Sequence, residues 1–253
     1  MTGQNLFRPV IHFDSVTSTM DVLAALARDG ATSGTTVVAD VQTGGRGRSG
    51  RSWAAPRGTA LLMSVLLRPP GPIATWGPFS LLTGLAVARA IDTHGDGRCE
   101  IKWPNDVLIG GRKVAGVLIA AREGGAPGSS ALIAGIGVNV TTDASGLPSR
   151  ATSVMQHTGR SVSPRDLLDD VGIALAELYA EFCQGSIRDP LEEIHQRLAF
   201  RGQYVVVEDG SRRLQGWVRG VGHDGSLLIE ALDGTTVAVR SGELTRGPVP
   251  VPV

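Results

Sequence analysis

Residues 42–53 read Gln-Thr-Gly-Gly-Arg-Gly-Arg-Ser-Gly-Arg-Ser-Trp, a loop with three arginines, four glycines and no acid. The runs on either side, Thr35–Val41 and Thr59–Leu67, are β-branched or apolar and read as buried strands. A strand–loop–strand frame limits what this loop can be. Gly45-x-Gly47-x-x-Gly50 matches the dinucleotide fingerprint, but that motif needs a following helix to hold the pyrophosphate at its N-terminus. Here Trp53, Pro56 and Gly58 lead into a strand. The lack of a helix also rules out a P-loop, which the run from Gly45 misses by one residue, with Arg51 where the lysine belongs. A single copy and balanced charge, 24 basic against 24 acidic residues, argue against an Arg/Gly RNA-binding segment. What remains is a loop of backbone N–H groups, guanidiniums and one aromatic face, suited to an anionic ligand. Ordering about ten such residues costs on the order of 10–20 kcal/mol. With no acid inside the loop to offset the arginines, it is expected to be mobile until a ligand orders it.

The second informative stretch runs from Lys102 to Gly116. Its two lysines, Lys102 and Lys113, are the only ones in the chain, and every other basic residue is arginine. A chain that elsewhere uses arginine and keeps two lysines close together suggests a task for a compact ammonium rather than a planar fork. Lys102-Trp103-Pro104-Asn105-Asp106 leaves a strand through a proline-restricted turn. Gly110-Gly111 signals a two-residue hairpin with Lys113 just beyond it. Gly116 is expected to leave room for a ligand against the strand.

Around these stretches the pattern alternates strands and helices. A strand is expected over Phe7–Phe13. A helix follows with Ser18 and Asp21 as a capping box and Gly30 beyond its end. Further helices are expected over 73–94, 163–183 and 191–200, the second capped by Ser163 with Pro164 in its first position. Strands are expected over 99–103, 114–121 and 131–140, with a Gly/Pro turn between the last two. After Gly202 only short strands separated by Asp-Gly turns remain, which reads as a small SH3-like β-barrel. The fold class is therefore α+β: a mixed sheet with helices packed on it over residues 1–201, then the barrel over residues 202–253 with a disordered tail.

Several function classes are excluded. The five histidines show no ligand spacing, so no structural metal is expected. No serine or cysteine sits in a nucleophile elbow, which argues against a covalent enzyme intermediate. Two distant cysteines fit a reducing compartment. Neither a signal peptide nor an apolar run of membrane length is present, so a cytoplasmic protein without membrane contact is expected.

The loop Gly45-Arg-Gly-Arg-Ser-Gly-Arg51 with Trp53, then Lys-Trp-Pro-Asn-Asp106, then Lys113-Val-Ala-Gly116, closely resembles the biotin protein ligases. Thr17-Ser-Thr19 and Gly135-Ile-Gly-Val-Asn139 fit as well. The resemblance implies a two-step reaction. Biotin and ATP, the latter with Mg²⁺, give biotinyl-5′-AMP and pyrophosphate. A lysine of a biotin carboxyl-carrier domain of acyl-CoA carboxylases then takes the biotinyl group and releases AMP. It implies biotin contacts from Ser18, Thr19, Met20, Gln42, Gly45, Arg46, Gly47 and Gly116. It implies ATP contacts from Arg51, Trp53, Lys102, Asn105 and Asn139. Arg48 and Lys113 would touch both substrates, as catalytic cations, and Asp106 would hold Mg²⁺. The family loop usually carries another arginine where this chain has Ser49. Only about fifteen residues precede Thr17, too few for the helix-turn-helix of some members, so no DNA binding is expected. The oligomeric state stays open between a monomer and a weak dimer. Lipoate–protein ligases are the nearest rival reading, and an RNA-binding module using the Gly/Arg loop is the other.

Overall fold

The computed structural model describes residues 7–124, 130–210 and 212–247. An inner strand of its larger sheet, β3 (Ala60–Leu67), shows no polar–apolar alternation, and every residue in it is buried. The reason is that both of its faces are covered. Leu61, Met63, Val65 and Leu67 join the main core with helices α2 (Phe79–Asp92) and α4 (Pro164–Cys183). Leu66 turns the other way, onto Met20 and Leu23 of α1 (Thr19–Arg28).

Six more strands complete this sheet: β1 (Val10–Phe13), β2 (Thr36–Ala39), β4 (Glu100–Lys102), β5 (Asp106–Ile109), β6 (Arg112–Arg122) and β7 (Ala131–Asn139). Their order is β1-β2-β3-β7-β6-β5-β4. β1 and β2 run parallel and the other neighbours antiparallel, giving the expected mixed sheet. Gly110 and Gly111 take φ of +57° and +72° in the β5–β6 turn, which a non-glycine residue would resist. The Gly/Pro turn expected before β7 falls partly on residues 125–129, and the tail on 248–253; both lie outside the described residues.

Helix ends follow local chemistry, with one exception. Gly30 at φ +92° ends α1, where Ala31 N donates to Leu26 O at 2.9 Å. Asp166 N donates to Ser163 Oγ at 3.0 Å at the start of α4. Ser18 occupies the cap position of α1, yet its hydroxyl makes no capping bond. The helix expected over 73–94 is interrupted at Trp76-Gly77-Pro78, because Pro78 lacks an N–H and restricts the residue before it. A short helix, α3 (Val154–Thr158), was not expected; α5 (Arg188–Gln196) starts earlier than its pattern suggests.

The C-terminal strands are β8 (Tyr204–Asp209), β9 (Arg212–Val221), β10 (Leu227–Glu230), β11 (Thr236–Val239) and β12 (Glu243–Arg246). They form an antiparallel sheet in the order β11-β10-β9-β8-β12. Its ladder is open: among the described residues β11 and β12 do not pair, so no closed barrel is seen. β12 has one apolar residue in four, too little pattern to reveal a strand. Among the described residues no helix is long and apolar enough to cross a membrane.

One charged network fastens the lysine hairpin's strand to the helices. Arg197 Nη1 donates to Asp92 Oδ2 at 2.6 Å and Nε to Glu193 Oε1 at 2.8 Å. Its backbone carbonyl accepts from Ile101 N on β4 at 2.8 Å. The Arg197 side chain is 10% exposed, and removing it leaves partly buried Asp92 without its ion-pair partner and Glu193 with Arg89 alone. Arg197→Ala is expected to lower stability by about 3 kcal/mol, read as a lower urea midpoint with unchanged slope.

Candidate active site

A cleft of about 920 Å³ opens where α1, the Gly/Arg loop, the lysine hairpin, the middle of β6 and β7, and the start of β12 meet. Ser18, Thr19, Met20, Gln42, Arg46, Gly47 and Arg48 line it, as do Arg51, Trp53, Lys102, Asn105, Asp106, Lys113 and Gly116. Two of the residues singled out from the sequence do not. Gly45 builds the loop instead, its carbonyl accepting from Trp53 N at 2.9 Å. Asn139 is buried and its amide donates to Thr152 O at 3.1 Å.

At the inner end, Thr19 donates twice to Gln42 Oε1, from its backbone N at 2.8 Å and its hydroxyl at 3.0 Å. A backbone N–H can only face an oxygen, so the amide orientation of Gln42 is fixed. Buried Ser64 lies 2.7 Å behind, hydroxyl to hydroxyl with Thr19.

The floor is made of glycines on paired strands, Gly116 opposite Gly137. A Cβ at Gly137 would lie 2.5 Å from Trp53 Cε2, and one at Gly135 would lie 2.6 Å from Met20 Sδ. One at Gly116 would lie 3.1 Å from both Lys113 Nζ and Trp53 Cζ3. The room expected beside Gly116 is therefore already taken by a lysine and an indole. Gly135 and Gly137 carried a readable signal, since glycine inside a strand marks a close approach.

The cations are balanced by acids from elsewhere. Lys113 Nζ lies 2.5 Å from Asp106 Oδ1 and 5.5 Å from the centre of the Trp53 ring. Arg48 is half-buried and donates to Asn105 Oδ1 and to Gly242 O, each at 3.4 Å. Burial lowers the pKa of Arg48, and neighbouring Asp106 opposes that shift. Arg46 pairs with Asp21 of α1 and Arg51 with Glu243 of β12, each at 2.6 Å. The loop closes on itself through Gly47 N to Arg51 O at 2.7 Å, with Ser49 left-handed at φ +54°. The expectation of an unbalanced loop is thus corrected: its counter-charges come from α1 and β12. Nothing in the local sequence pointed to Gly242 or Glu243. One donor is left over, the buried Trp53 Nε1, which has no partner among the described residues. Such an orphan costs roughly 1–3 kcal/mol.

Asp106, expected to hold Mg²⁺, has its carboxylate on Lys113. Among the described residues no group of three or more His, Cys, Asp or Glu side chains is arranged to hold a metal. The residues present therefore do not form a resident metal site. Both cysteines are free thiols.

The sequence model of the biotin/lipoate A/B protein ligase family matches residues 12–139, which span the sheet and nearly all of the cleft. The chain belongs to this family. It is 33% identical to the biotin--[acetyl-CoA-carboxylase] ligase of Paracoccus denitrificans, over 79% of this chain and 86% of that one. With the enzyme of the same name from Mycobacterium tuberculosis the identity is 31%, covering 88% and 83% of the two chains. The fold matches the biotin protein ligase of Aquifex aeolicus solved with biotin and ATP, at a TM-score of 0.81 and 29% identity. That match covers 95% of this chain and 100% of the Aquifex chain.

The glycine floor makes a direct prediction. Gly137→Ala places a methyl group in the space of the Trp53 ring and should drive the indole toward solvent. Acrylamide quenching of tryptophan fluorescence should rise in the variant; equal quenching would mean the ring can sit elsewhere in the cleft.

Proposed function

We propose that this chain is an ATP-dependent biotin ligase that activates biotin as biotinyl-5′-AMP and transfers it to a lysine of a biotin carrier domain. The observation that carries the reading is the pairing, in one cleft, of a compact ammonium, Lys113, with a half-buried guanidinium, Arg48, beside Asn105 and Asp106. Family membership and the biotin ligases among the relatives support the choice of acid.

In the first step a carboxylate oxygen of biotin attacks the α-phosphorus of ATP. A P–O bond forms, the bond to the bridging α,β-oxygen breaks, and pyrophosphate leaves. Negative charge builds on the phosphoryl oxygens, so fixed cations there lower the barrier. Lys113 and Arg48 are assigned that role, between the two substrates. In the second step the carrier lysine's neutral amine attacks the acyl carbon, AMP leaves, and the amine proton passes to solvent.

The inner end, with Ser18, Thr19, Met20 and the amide of Gln42, is assigned to biotin, with Arg46 and Gly47 closing over it. Arg51, Trp53, Lys102 and Asn105 are assigned to the nucleotide. The orphaned indole N–H of Trp53 supports a ligand acceptor nearby. Gly45 and Asn139 act as supports rather than contacts. Mg²⁺ enters as part of the ATP substrate, and no step depends on a protein-held metal. We also infer two units divided near residue 201. The lack of helix after Gln196 among the described residues supports an SH3-like second unit.

The test is biotin-dependent ATP–pyrophosphate exchange, run in parallel with lipoate. Biotin should support exchange and lipoate should not. Lys113→Ala should slow it by about 10²–10³-fold, the loss of one strong electrostatic donor of roughly 3–4 kcal/mol. A fall of less than tenfold would show that Lys113 is not the main catalytic cation.

A further inference from the structure

Trp103 stands in the middle of the lysine hairpin's motif, 1% exposed, yet no ligand role falls to it. Its indole N–H leaves the first sheet and donates to Gly225 O in the β9–β10 turn, at 3.1 Å. That turn is locked on itself. Ser226 donates to Asp224 Oδ1 from its hydroxyl at 2.6 Å and from its backbone N at 3.1 Å. Arg240 Nε donates to Asp224 Oδ2 at 3.0 Å. Two and three residues beyond Arg240 come Gly242 and Glu243, which hold Arg48 and Arg51. Arg48 then donates to Asn105, two residues past Trp103. The contacts make a closed ring that leaves the hairpin through Trp103 and returns to it through Arg48.

We infer that Trp103 is a positioning residue, whose indole N–H seats the C-terminal sheet so that Gly242 and Glu243 hold Arg48 and Arg51 over the cleft. A second contact points the same way. Gly225 sits at φ +77°, and a Cβ there would lie 2.9 Å from Gly77 O and 3.0 Å from Pro78 Cα. The turn is pressed flat against the start of α2, with no space for a side chain. Ser80, in the first turn of that helix, donates to Pro104 O at 2.7 Å, which ties the same spot back to the hairpin. The inner end of the cleft, at Thr19 and Gln42, has no member in this ring. Loosening the ring should therefore disturb only the arginine half. The substrate assignment of that half rests on the function proposed above.

Trp103→Phe keeps the aromatic packing and deletes the donor. Gly225→Ala keeps the donor and pushes the turn off its seat. Each should raise KM for ATP in the exchange reaction by about three- to tenfold, the range of one net hydrogen bond, with a fall in kcat because Arg48 lies between the substrates, and should raise KM for biotin less. A second readout needs no substrate. Tryptic cleavage after Arg48 and Arg51, followed by mass spectrometry, should quicken by a similar factor, while cleavage after exposed Arg160 stays constant. If wild-type protein shows no biotin-dependent exchange, the proposed function falls and the cleavage rates still decide the role of Trp103. Unchanged cleavage at Arg48 and Arg51 in both variants overturns the inference. So does a uniform rise at all three arginines, or an equal rise in both KM values, since those mark general loosening.

Discussion

Five cations line this cleft, Arg46, Arg48, Arg51, Lys102 and Lys113, and like charges gathered in one place repel. The arrangement is possible because three acids reach them from three separate segments: Asp21 for Arg46, Glu243 for Arg51 and Asp106 for Lys113. Among the three loop arginines Arg48 is the exception. It has no acid in direct contact and lies against an amide oxygen and a backbone carbonyl, partly withdrawn from water. Of the loop arginines, it has the most to gain from an incoming anion. The exposed pairs of Arg46 and Arg51 hold weakly, as surface ion pairs do. They can therefore release when a ligand offers a better partner, so the loop can be ordered without being committed.

The second constraint is space. Trp53 lies on a strand floor that must be glycine at Gly137, and Lys113 reaches back over Gly116 toward the same ring. The ammonium is thus held from two sides, by the ring face and by the Asp106 carboxylate. A lysine has many rotamers to lose, and fixing one costs up to about 2 kcal/mol. In this cleft that cost is met before any substrate arrives. Burying the indole N–H without a partner works in the opposite direction, as a penalty that a ligand acceptor would remove.

Much of this was readable from residue types in order. The buried strand β3, the glycine turn at Gly110-Gly111, the Schellman end at Gly30 and the cap at Ser163 follow from local rules. So does the placing of the two lysines and the Gly/Arg loop on one cleft, once the motif order is taken together. What escaped was non-local. No spacing rule connects Arg51 to Glu243 or Trp103 to Gly225, because those contacts depend on how the C-terminal sheet docks. β12 was missed because its four residues hold one apolar side chain. Ser18 misled in a different way: its cap position is real, yet its hydroxyl makes no cap, and a position rule alone cannot separate the two. Asn139 followed its motif but faces Thr152, since motif membership does not say which side of a strand a residue faces.

The ion pair between Lys113 and Asp106 bears on how a carboxylic acid would be received. In the free protein Asp106 already keeps a carboxylate against the Lys113 nitrogen. In the proposed reaction the incoming acid also presents a carboxylate, so one oxygen anion replaces another and little charge is desolvated anew. The same exchange explains why an acid at this position need not be a metal ligand to matter. In the free protein its carboxylate holds the amine in one position, the one the proposed reaction would use.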